Sequence, residues 1–472
     1  MKRIAIIGGG ISGLSAAVAL EQQRRAGAQL EYVVFESSSR FGGVLFTERV
    51  DGCLVEAGPD SFLTEKPWAS ELCQQLGLGD QLIGSNDAER KTYILVNGRR
   101  VALPDGLMFM VPTKILRALT SPLFSAGTKV KIAREWFHQP HKTAADESVG
   151  SLIERHYGSE MVERLADPLL SGIYGGEASH LSACAVLPRF VEMEATHGSL
   201  GRALLSARKK MSQNKAEPAK PLFTSLKNGM QQMVDALLVY LPAASLRPHT
   251  QIVAAQPQAG GWLLSTSNGS DQFDAVIMAT TTQAAATLLK EETADLAQEL
   301  GGINYSSSVT VALGYDQRAR PAIPPGFGFL VPRSEGKRML AATFVHNKFP
   351  HRAPPDRALL RCFLGGTQDQ SALQLSDEDI LRITRTELRQ ILGLTAEPLF
   401  ARVYKWKSAM AQYNVGHLER LVRIERFLKK LPGLALAGNG YRGIGVPDCV
   451  RSGKNAAAQA LAAVGLAGPM AS

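Results

Sequence analysis

The sequence is poor in residues that would cross-link it or bind a metal. It has 472 residues, and its five cysteines include no C-x-x-C pair; they are Cys53, Cys73, Cys184, Cys362 and Cys449. An odd, scattered set disfavours a disulfide framework and a zinc site, and it fits a reducing cytoplasm. The closest histidines, His138 and His141, flank Pro140, so one helix face cannot present both. No metal is therefore expected.

Long apolar runs and aromatic side chains are also scarce. Apolar stretches end well before the ~18 residues of a membrane-spanning helix, so none is expected. The run after Arg3 stops at a glycine turn, too early for a signal peptide. Aromatic residues make up 7% of the chain, and they do not alternate with the basic residues that give a net charge of +9. This dispersed charge disfavours nucleic acid as a partner and leaves a carboxylate-bearing substrate open.

The amino-terminal segment carries a dinucleotide-binding pattern. An apolar strand leads into GGGISG, a helix with small residues follows, and a second apolar strand ends at Glu36. Gly8 permits a tight turn, Gly10 lets the backbone approach a pyrophosphate, and Gly13 lets helix and strand pack closely. Free N–H groups at the helix start bind phosphate. Glu36 is expected to accept hydrogen bonds from ribose hydroxyls.

The residues after Glu36 favour FAD over NAD. Arg40-Phe41-Gly42-Gly43 supplies a cation and two glycines where a second approach to the pyrophosphate would need them. Domains that bind NAD alone usually do not carry this extension.

A second glycine run, GNGYRGIGVPDC, begins at Gly438. A second dinucleotide fold would need a later strand and an acidic residue, but the sequence contains no Asp or Glu after Asp448. A strand at 434–437 followed by a helix near Pro447 fits instead, with the positive end of the helix directed at the flavin. The two runs therefore predict one dinucleotide contacted twice.

The order of segments predicts an α/β fold whose Rossmann-type domain is discontinuous. It comprises residues 1–70, 221–290 and 430–472, because the strand that begins at Asp274 is expected to return to the first sheet. Residues 71–220 are predicted to form a mainly helical insertion. Residues 291–429 are predicted to form a substrate-binding antiparallel sheet with helices.

Several segments together resemble the FAD-dependent coproporphyrinogen III and protoporphyrinogen oxidases of haem biosynthesis. They are GGGISG, FESSSRFGG, AGPDSFL, LLSGIYGG, PRFVEMEATHGSL and GNGYRGIGVPDC. The terminal motifs are shared with amine oxidases and carotenoid desaturases, whereas the central ones are more specific. The resemblance implies the amine-oxidase-like flavoprotein fold. It also implies FAD contacts by Gly8, Gly9, Gly10, Ile11, Ser12, Gly13, Glu36, Ser37, Arg40, Gly43, Gly58, Pro59, Asp60, Ser61, Val253, Trp406, Ile444, Gly445 and Val446.

The resemblance also implies a reaction. A porphyrinogen loses hydride from a meso carbon to flavin N5, pyrrole protons leave, and oxygen takes the electrons to give hydrogen peroxide; the cofactor supplies this chemistry. Members of the protoporphyrinogen-specific branch commonly have an arginine soon after the GP where Asp60 stands here. This departure favours coproporphyrinogen III and leaves protoporphyrinogen IX open as a further substrate.

Two cations are candidates for the substrate site. Lys66 matches a lysine of this branch and would position substrate propionates, with a solvated lysine as the alternative. Arg442 lies among the glycines of the second run, with a structural surface cation as the alternative. Tyr174 either stacks on the macrocycle or packs in the core.

Further functions stay open from the sequence. A flavin amine oxidase would usually have a tryptophan and a tyrosine in the carboxyl-terminal motif, where GIGVPDC stands. A carotenoid-type desaturase and a non-catalytic porphyrin carrier also stay open. The segment LPDGLMFMVPTKILRALTSPLF either faces a membrane or walls the substrate cavity. We expect a cytoplasmic enzyme, with peripheral membrane contact and transfer of product to a later haem-pathway enzyme as open possibilities.

Overall fold

A computed structural model describes residues 1–141, 145–213, 220–289 and 293–466. Its strands, in chain order, are β1 (Lys2–Ile7), β2 (Leu30–Phe35), β3 (Thr47–Val50), β4 (Cys53–Glu56), β5 (Phe62–Leu63), β6 (Leu82–Gly84), β7 (Thr92–Val96), β8 (Arg99–Ala102), β9 (Leu107–Met108), β10 (Val111–Pro112), β11 (Phe223–Leu226), β12 (Leu246–Arg247), β13 (Ile252–Gln258), β14 (Gly261–Thr266), β15 (Gly269–Phe273), β16 (Ala275–Met278), β17 (Tyr305–Asp316), β18 (Gly328–Leu330), β19 (Met339–Phe344), β20 (Arg357–Gly365), β21 (Phe400–Ala411) and β22 (Leu434–Leu436).

Helices connect and cover these strands. The α-helices are α1 (Ile11–Arg25), α2 (Trp68–Gln75), α3 (Ile115–Thr120), α4 (Ala126–Glu135), α5 (Val149–Tyr157), α6 (Ser159–Met161), α7 (Asp167–Tyr174), α8 (Ala183–Val186), α9 (Pro188–His197), α10 (Leu200–Gln213), α11 (Gln231–Tyr240), α12 (Thr282–Leu289), α13 (Ala294–Gly301), α14 (Val345–Lys348), α15 (Asp377–Leu392), α16 (His417–Leu428) and α17 (Val446–Ala463). A π-helical turn, Val162–Ala166, joins α6 to α7. Within these described ranges, none of the helices is long and apolar enough to cross a membrane.

A parallel five-stranded sheet in the order β12-β2-β1-β16-β22 forms the centre of the cofactor region. Side chains of β1 alternate between its faces. Ile4 and Ile6 pack with α1 and α17, whereas Ala5 and Ile7 pack with Trp262 of β14 and its neighbours. Helices on one face and a small sheet on the other bury both sides, which explains the nearly continuous apolar strands.

The return of the chain to the first sheet is confirmed, because Ile4 of β1 is paired with Ala275 of β16. The strands of this sheet come from the three predicted pieces of the FAD-binding domain. The domain boundaries themselves stay a prediction.

A second sheet has seven strands in the order β21-β17-β20-β19-β18-β7-β8. It is antiparallel except where β18 runs parallel to β7. The antiparallel sheet predicted within residues 291–429 is therefore present. However, β7 and β8 belong to the 71–220 segment, so that segment is less helical than predicted. The turn at Asn97-Gly98 forms a hairpin because Asn97 and Gly98 both have positive φ.

A buried charged network holds the helices of the 71–220 segment together. His156 of α5 has one ring nitrogen 3.2 Å from Glu135 of α4 and the other 3.0 Å from Glu194 of α9. Contact of both nitrogens with carboxylates fits the charged imidazolium. Burial alone would lower the pKa of His156, but the two carboxylates outweigh it and raise this pKa above its ordinary value.

Candidate functional site

The first glycine run forms an open turn before α1, called here the phosphate-binding turn after the role that the sequence predicts for it. A Cβ on Gly13 would lie 1.9 Å from the carbonyl oxygen of Gly8, so only glycine allows this packing of β1 against α1. Gly10 is the N-cap residue of α1 and, having no side chain, leaves the first N–H groups of the helix uncapped. Among the described residues, nothing lies within 4 Å of a Cβ placed on Gly10, so the space in front of the helix is open. The first N–H groups of α1 are thus available to an anion.

Glu36 lies at the end of β2, beside this turn. Its carboxylate accepts hydrogen bonds from the backbone N–H of Gly9 and of Ser38, each 2.8 Å long. The carboxylate retains further lone pairs for a ribose. Ser37 lies next to it, with its hydroxyl 3.4 Å from Glu36 Oε1.

Arg40 folds the following loop. Its guanidinium donates to the carbonyl oxygens of Phe41, Gly43 and Leu45. Burial lowers the pKa of Arg40 from its ordinary value. Gly42 forms a bridge with Gly10, so the loop closes onto the phosphate-binding turn. The direct role of Arg40 in the structure is therefore to shape the loop.

Residues 57–61, here called the cofactor loop, are fixed from the second sheet. Trp406 of β21 donates its indole N–H to the Ala57 carbonyl at 2.8 Å. Arg361 of β20 donates to the Gly58 carbonyl, and the Lys348 ammonium lies 3.1 Å from both carboxylate oxygens of Asp60. Burial would raise the pKa of Asp60, but Lys348 and Arg361 hold it well below its ordinary value. The Asp60 carboxylate therefore belongs to a buried ion cluster.

The second glycine run brings another helix terminus to the same place. β22 leads through 438–445 into α17, with Pro447 in the first turn as predicted. Tyr413 fixes the run, because its hydroxyl donates to the Asn439 carbonyl and accepts from the Gly443 N–H. A Cβ on Gly453 would lie 2.1 Å from the carbonyl oxygen of Ser12, so α17 packs directly on the start of α1. Ile444, Gly445 and Val446 lie at this junction.

Lys66 and Asp448 meet at the start of α17. The Lys66 ammonium lies 2.5 Å from Asp448 Oδ2, and the Lys66 side chain is 38% exposed whereas that of Asp448 is 3% exposed. Arg451 contacts the other Asp448 oxygen at 3.4 Å and covers the Trp68 ring. Tyr174 packs edge-on against Tyr413, with the ring centroids 6.2 Å apart, and burial raises the pKa of Tyr174 to about 12.

Two further predicted residues, Arg442 and Val253, have exposed side chains. Arg442 is 60% exposed and pairs with Glu425 at 2.8 Å, so the structure does not bring it together with Lys66. The flanking glycines do place its backbone in the second run. Val253 lies at an irregularity of β13 and is 52% exposed.

Sequence reasoning missed four members of the ion cluster: Glu56, Lys348, Arg352 and Arg361. A usable signal was present at Arg361, a charged residue inside the apolar run ALLRCFLGG. Charged residues are rarely fully buried unless they are paired. Nothing in the sequence indicates which residues are the partners.

The fold and the site define a dinucleotide-binding flavoprotein. The uncapped start of α1, the open face at Gly10, the Glu36 carboxylate and the exposed Val253 fit FAD. Two helix N-termini would face its phosphates and its ring.

Comparison with known proteins identifies the family. The family described as flavin containing amine oxidoreductase matches residues 11–461. The coproporphyrinogen III oxidase of Bacillus subtilis (strain 168) is 34% identical over 464 residues, which is 98% of this chain and 98% of that protein. Protoporphyrinogen oxidase 2, chloroplastic/mitochondrial, of Arabidopsis thaliana is 27% identical over 97% of this chain and 93% of that protein.

Solved structures of flavin-dependent oxidases have the same fold as this chain. The crystal structure of a candidate protoporphyrinogen oxidase from Exiguobacterium sp. 255-15 has a TM-score of 0.85 at 30% identity, and covers 97% of this chain and 98% of that chain. Wild-type putrescine oxidase bound to putrescine has a TM-score of 0.67 at 18% identity over 98% of this chain and 99% of that chain, which shows the shared fold. The chain belongs to the flavin containing amine oxidoreductase family and, within it, to the FAD-dependent coproporphyrinogen III and protoporphyrinogen oxidases. The predicted fold class, family and FAD cofactor are confirmed, and the protein is an oxidoreductase.

Proposed function

We propose that this enzyme oxidises coproporphyrinogen III to coproporphyrin III in haem biosynthesis, with oxygen as the electron acceptor and hydrogen peroxide as the second product. The observation that carries the proposal is the pairing of Lys66 with Asp448 at the start of α17. Tyr174 packs against Tyr413, which fixes the second glycine run just before that helix. Lys66 follows the GPDSFL segment and Tyr174 lies in LLSGIYGG, and these segments are more specific for porphyrinogen oxidases than the terminal glycine motifs are.

FAD, when bound, supplies the redox chemistry by accepting hydride from a meso carbon and passing electrons to oxygen. The chain contributes binding and orientation. The start of α1 would hold the pyrophosphate and Glu36 the ribose, while the cofactor loop and residues 444–446 would contact the flavin. Lys66 would hold a substrate propionate near the flavin, and Tyr174 would pack on the macrocycle.

The charge distribution supports coproporphyrinogen III, which carries four propionates. Lys66 is partly exposed, and Arg189 of α9 is 74% exposed in a pair with the equally accessible Glu65. The Arg189–Glu65 pair is exposed and contributes little stability, so Arg189 can turn toward a carboxylate ligand. Lys66 can do the same because its buried partner Asp448 keeps Arg451 as a second cation. Protoporphyrinogen IX remains a second candidate substrate, because relatives of nearly full coverage are named protoporphyrinogen oxidases.

The test is anaerobic reduction of the bound flavin by coproporphyrinogen III and, separately, by protoporphyrinogen IX, followed by admission of oxygen. We expect fast bleaching of the flavin band by the first compound, then hydrogen peroxide and a fluorescent porphyrin. Equal bleaching by both compounds would remove the substrate preference. A flavin that neither compound reduces would refute porphyrinogen oxidation.

Peripheral membrane contact is a further part of the proposal. Met108, Phe109 and Leu116 are large apolar residues that are 44%, 38% and 78% exposed, and the exposed cations Lys114 and Arg117 lie beside them in the chain. Apolar and basic side chains together suit an anionic lipid surface. Flotation with vesicles containing anionic lipid tests this contact, with Leu116→Ser expected to weaken binding and Val239→Ser, at an exposed valine elsewhere, as the matched control. Transfer of the product to a later haem-pathway enzyme stays a prediction.

A further inference from the structure

The ion cluster behind the cofactor loop is unusually well buried. It comprises the cations Lys348, Arg352 and Arg361 and the carboxylates Glu56 and Asp60. The side chains of Arg352 and Glu56 are 0% and 1% exposed, and none of the others exceeds 12%. Three cations and two carboxylates leave one net positive charge. Burial lowers the pKa of the neighbouring His346 and His351 to about 4, so these histidines add no charge at neutral pH.

The hydrogen bonds within the cluster do not compensate this charge. Glu56 accepts from Arg352, but it also accepts from the Thr47 hydroxyl at 2.7 Å and the Met230 N–H at 2.8 Å. Asp60 is shared between Lys348 and Arg361. Among the described residues, the buried Nε–H groups of Arg352 and Arg361 have no hydrogen-bond acceptor. The excess charge therefore lacks a counter-charge inside the cluster.

The cluster acts on the cofactor loop from one side. Arg361 donates to the Gly58 carbonyl, and Arg352 donates to the Asp60 carbonyl at 3.2 Å. On the other side, a Cβ on Gly58 would lie 1.9 Å from the Val44 carbonyl oxygen. A Cβ on Gly43, the residue before Val44, would lie 3.3 Å from the Gly10 Cα. The loop is thus held between the cluster and the phosphate-binding turn.

We propose that the ion cluster holds a net positive charge next to the flavin and thereby raises the reduction potential of FAD. The proposal rests on the proposed FAD contacts of the cofactor loop. The reduced isoalloxazine ring carries more negative charge than the oxidised ring, so a nearby cation stabilises the reduced form. Because the cluster and the groups around it are buried, solvent does not screen its charge. The electrostatic influence of the cluster therefore extends across the cofactor loop to the flavin. Burying an uncompensated charge is costly, and such costs concentrate at functional sites.

The test uses two variants that change the net charge in opposite directions. Lys348→Met removes the excess positive charge of the cluster. Asp60→Asn increases that charge, and asparagine has nearly the same shape as aspartate. We expect the flavin midpoint potential of the purified holoprotein, measured against reference dyes, to fall in Lys348→Met and to rise in Asp60→Asn. Arg382→Met removes a cation from an exposed pair with Asp379 and should leave the potential unchanged.

Both charge variants are expected to lower the thermal midpoint, because each leaves buried partners unpaired. Loss of stability alone cannot move the potential in opposite directions, so the potential distinguishes charge from packing. Equal potentials, or shifts of the same sign, would overturn the proposal and leave the cluster as a structural link between the two sheets. If Asp60→Asn does not retain FAD, Glu56→Gln is used instead, because it also makes the cluster more positive and should also raise the potential. If Lys348→Met does not retain FAD, Lys348→Gln replaces it. The measurement needs no porphyrinogen, so it can fail or succeed independently of the proposed substrate.

Discussion

The Lys66 ammonium and the Asp448 carboxylate are 2.5 Å apart although 382 positions separate them in the chain. The carboxylate is buried and has a second cation, Arg451, at 3.4 Å, whereas Lys66 is partly exposed. Lys66 can therefore leave Asp448 for an incoming propionate without leaving the buried carboxylate unpaired.

Replacing Lys66 by methionine should weaken substrate binding more than the chemical step. A charge-assisted hydrogen bond contributes about 1.5–3 kcal/mol when buried, and less at a partly exposed site, so we expect KM for coproporphyrinogen III to rise roughly tenfold. Steady-state kinetics on protein with full FAD content measures this. Lys66→Arg, which retains the charge, should recover most of the affinity. An unchanged KM in Lys66→Met would show that the lysine is structural.

Two alanine substitutions in the first glycine run should separate folding from cofactor binding. Gly13→Ala places a Cβ 1.9 Å from the Gly8 carbonyl oxygen and should destabilise the apoprotein. Gly10→Ala meets open space among the described residues at a φ of −72°, so we expect less than about 1 kcal/mol of change in apoprotein stability. Its methyl group would nevertheless face the pyrophosphate, so FAD affinity should fall. Thermal unfolding of the apoprotein and FAD titration provide the two measurements, and normal FAD affinity in Gly10→Ala would contradict the proposed contact.

Arg442→Gln should have little effect. The side chain is 60% exposed and its partner Glu425 is 55% exposed, and such pairs contribute about 0.2–1 kcal/mol. We expect kcat and KM to stay within about twofold of the wild type. Glu425→Gln is the matched control, since it breaks the same ion pair from the other side. A large loss of kcat in Arg442→Gln alone would assign the guanidinium a role in catalysis.

The His156 network should make stability depend on pH. Because the pKa of His156 is raised in the folded protein, its contribution is complete below the ordinary value of about 6.5 and is lost as pH rises through the raised value. Breaking this buried network with His156→Gln should cost about 3–5 kcal/mol near pH 6, and less at pH 9. Urea midpoints of wild type and variant at both pH values measure the difference, with the exposed His180→Gln as control. A cost that does not change with pH would mean that His156 is neutral in the folded protein.

The cofactor half of the fold was predictable because its determinants are local. Glycines at fixed spacing, an apolar strand before them and an acidic residue after the next strand indicate the same unit. Ser376 likewise predicts the start of α15, where its hydroxyl accepts from the Asp379 N–H. These signals lie within a few turns of the elements they specify.

The rest depends on pairs that are distant in sequence. Arg352 contacts Glu56 across 296 positions, and the β7–β8 hairpin joins a sheet whose other strands begin after residue 300. A polar residue indicates that it needs a partner but does not identify that partner. The direction of the Asp60 side chain could not be predicted for the same reason, because its partners Lys348 and Arg361 are far away in the sequence.

The close packing of Gly453 on the Ser12 carbonyl has a consequence for synthesis. Helix α17 leaves the ribosome roughly 20 to 90 seconds after α1, at ordinary elongation rates. During that interval the first phosphate-binding turn exists without the second helix terminus and without the strand β22 that leads to it. We therefore expect firm binding of FAD only after α17 has been synthesised, and a nascent chain truncated before α17 should release the cofactor readily.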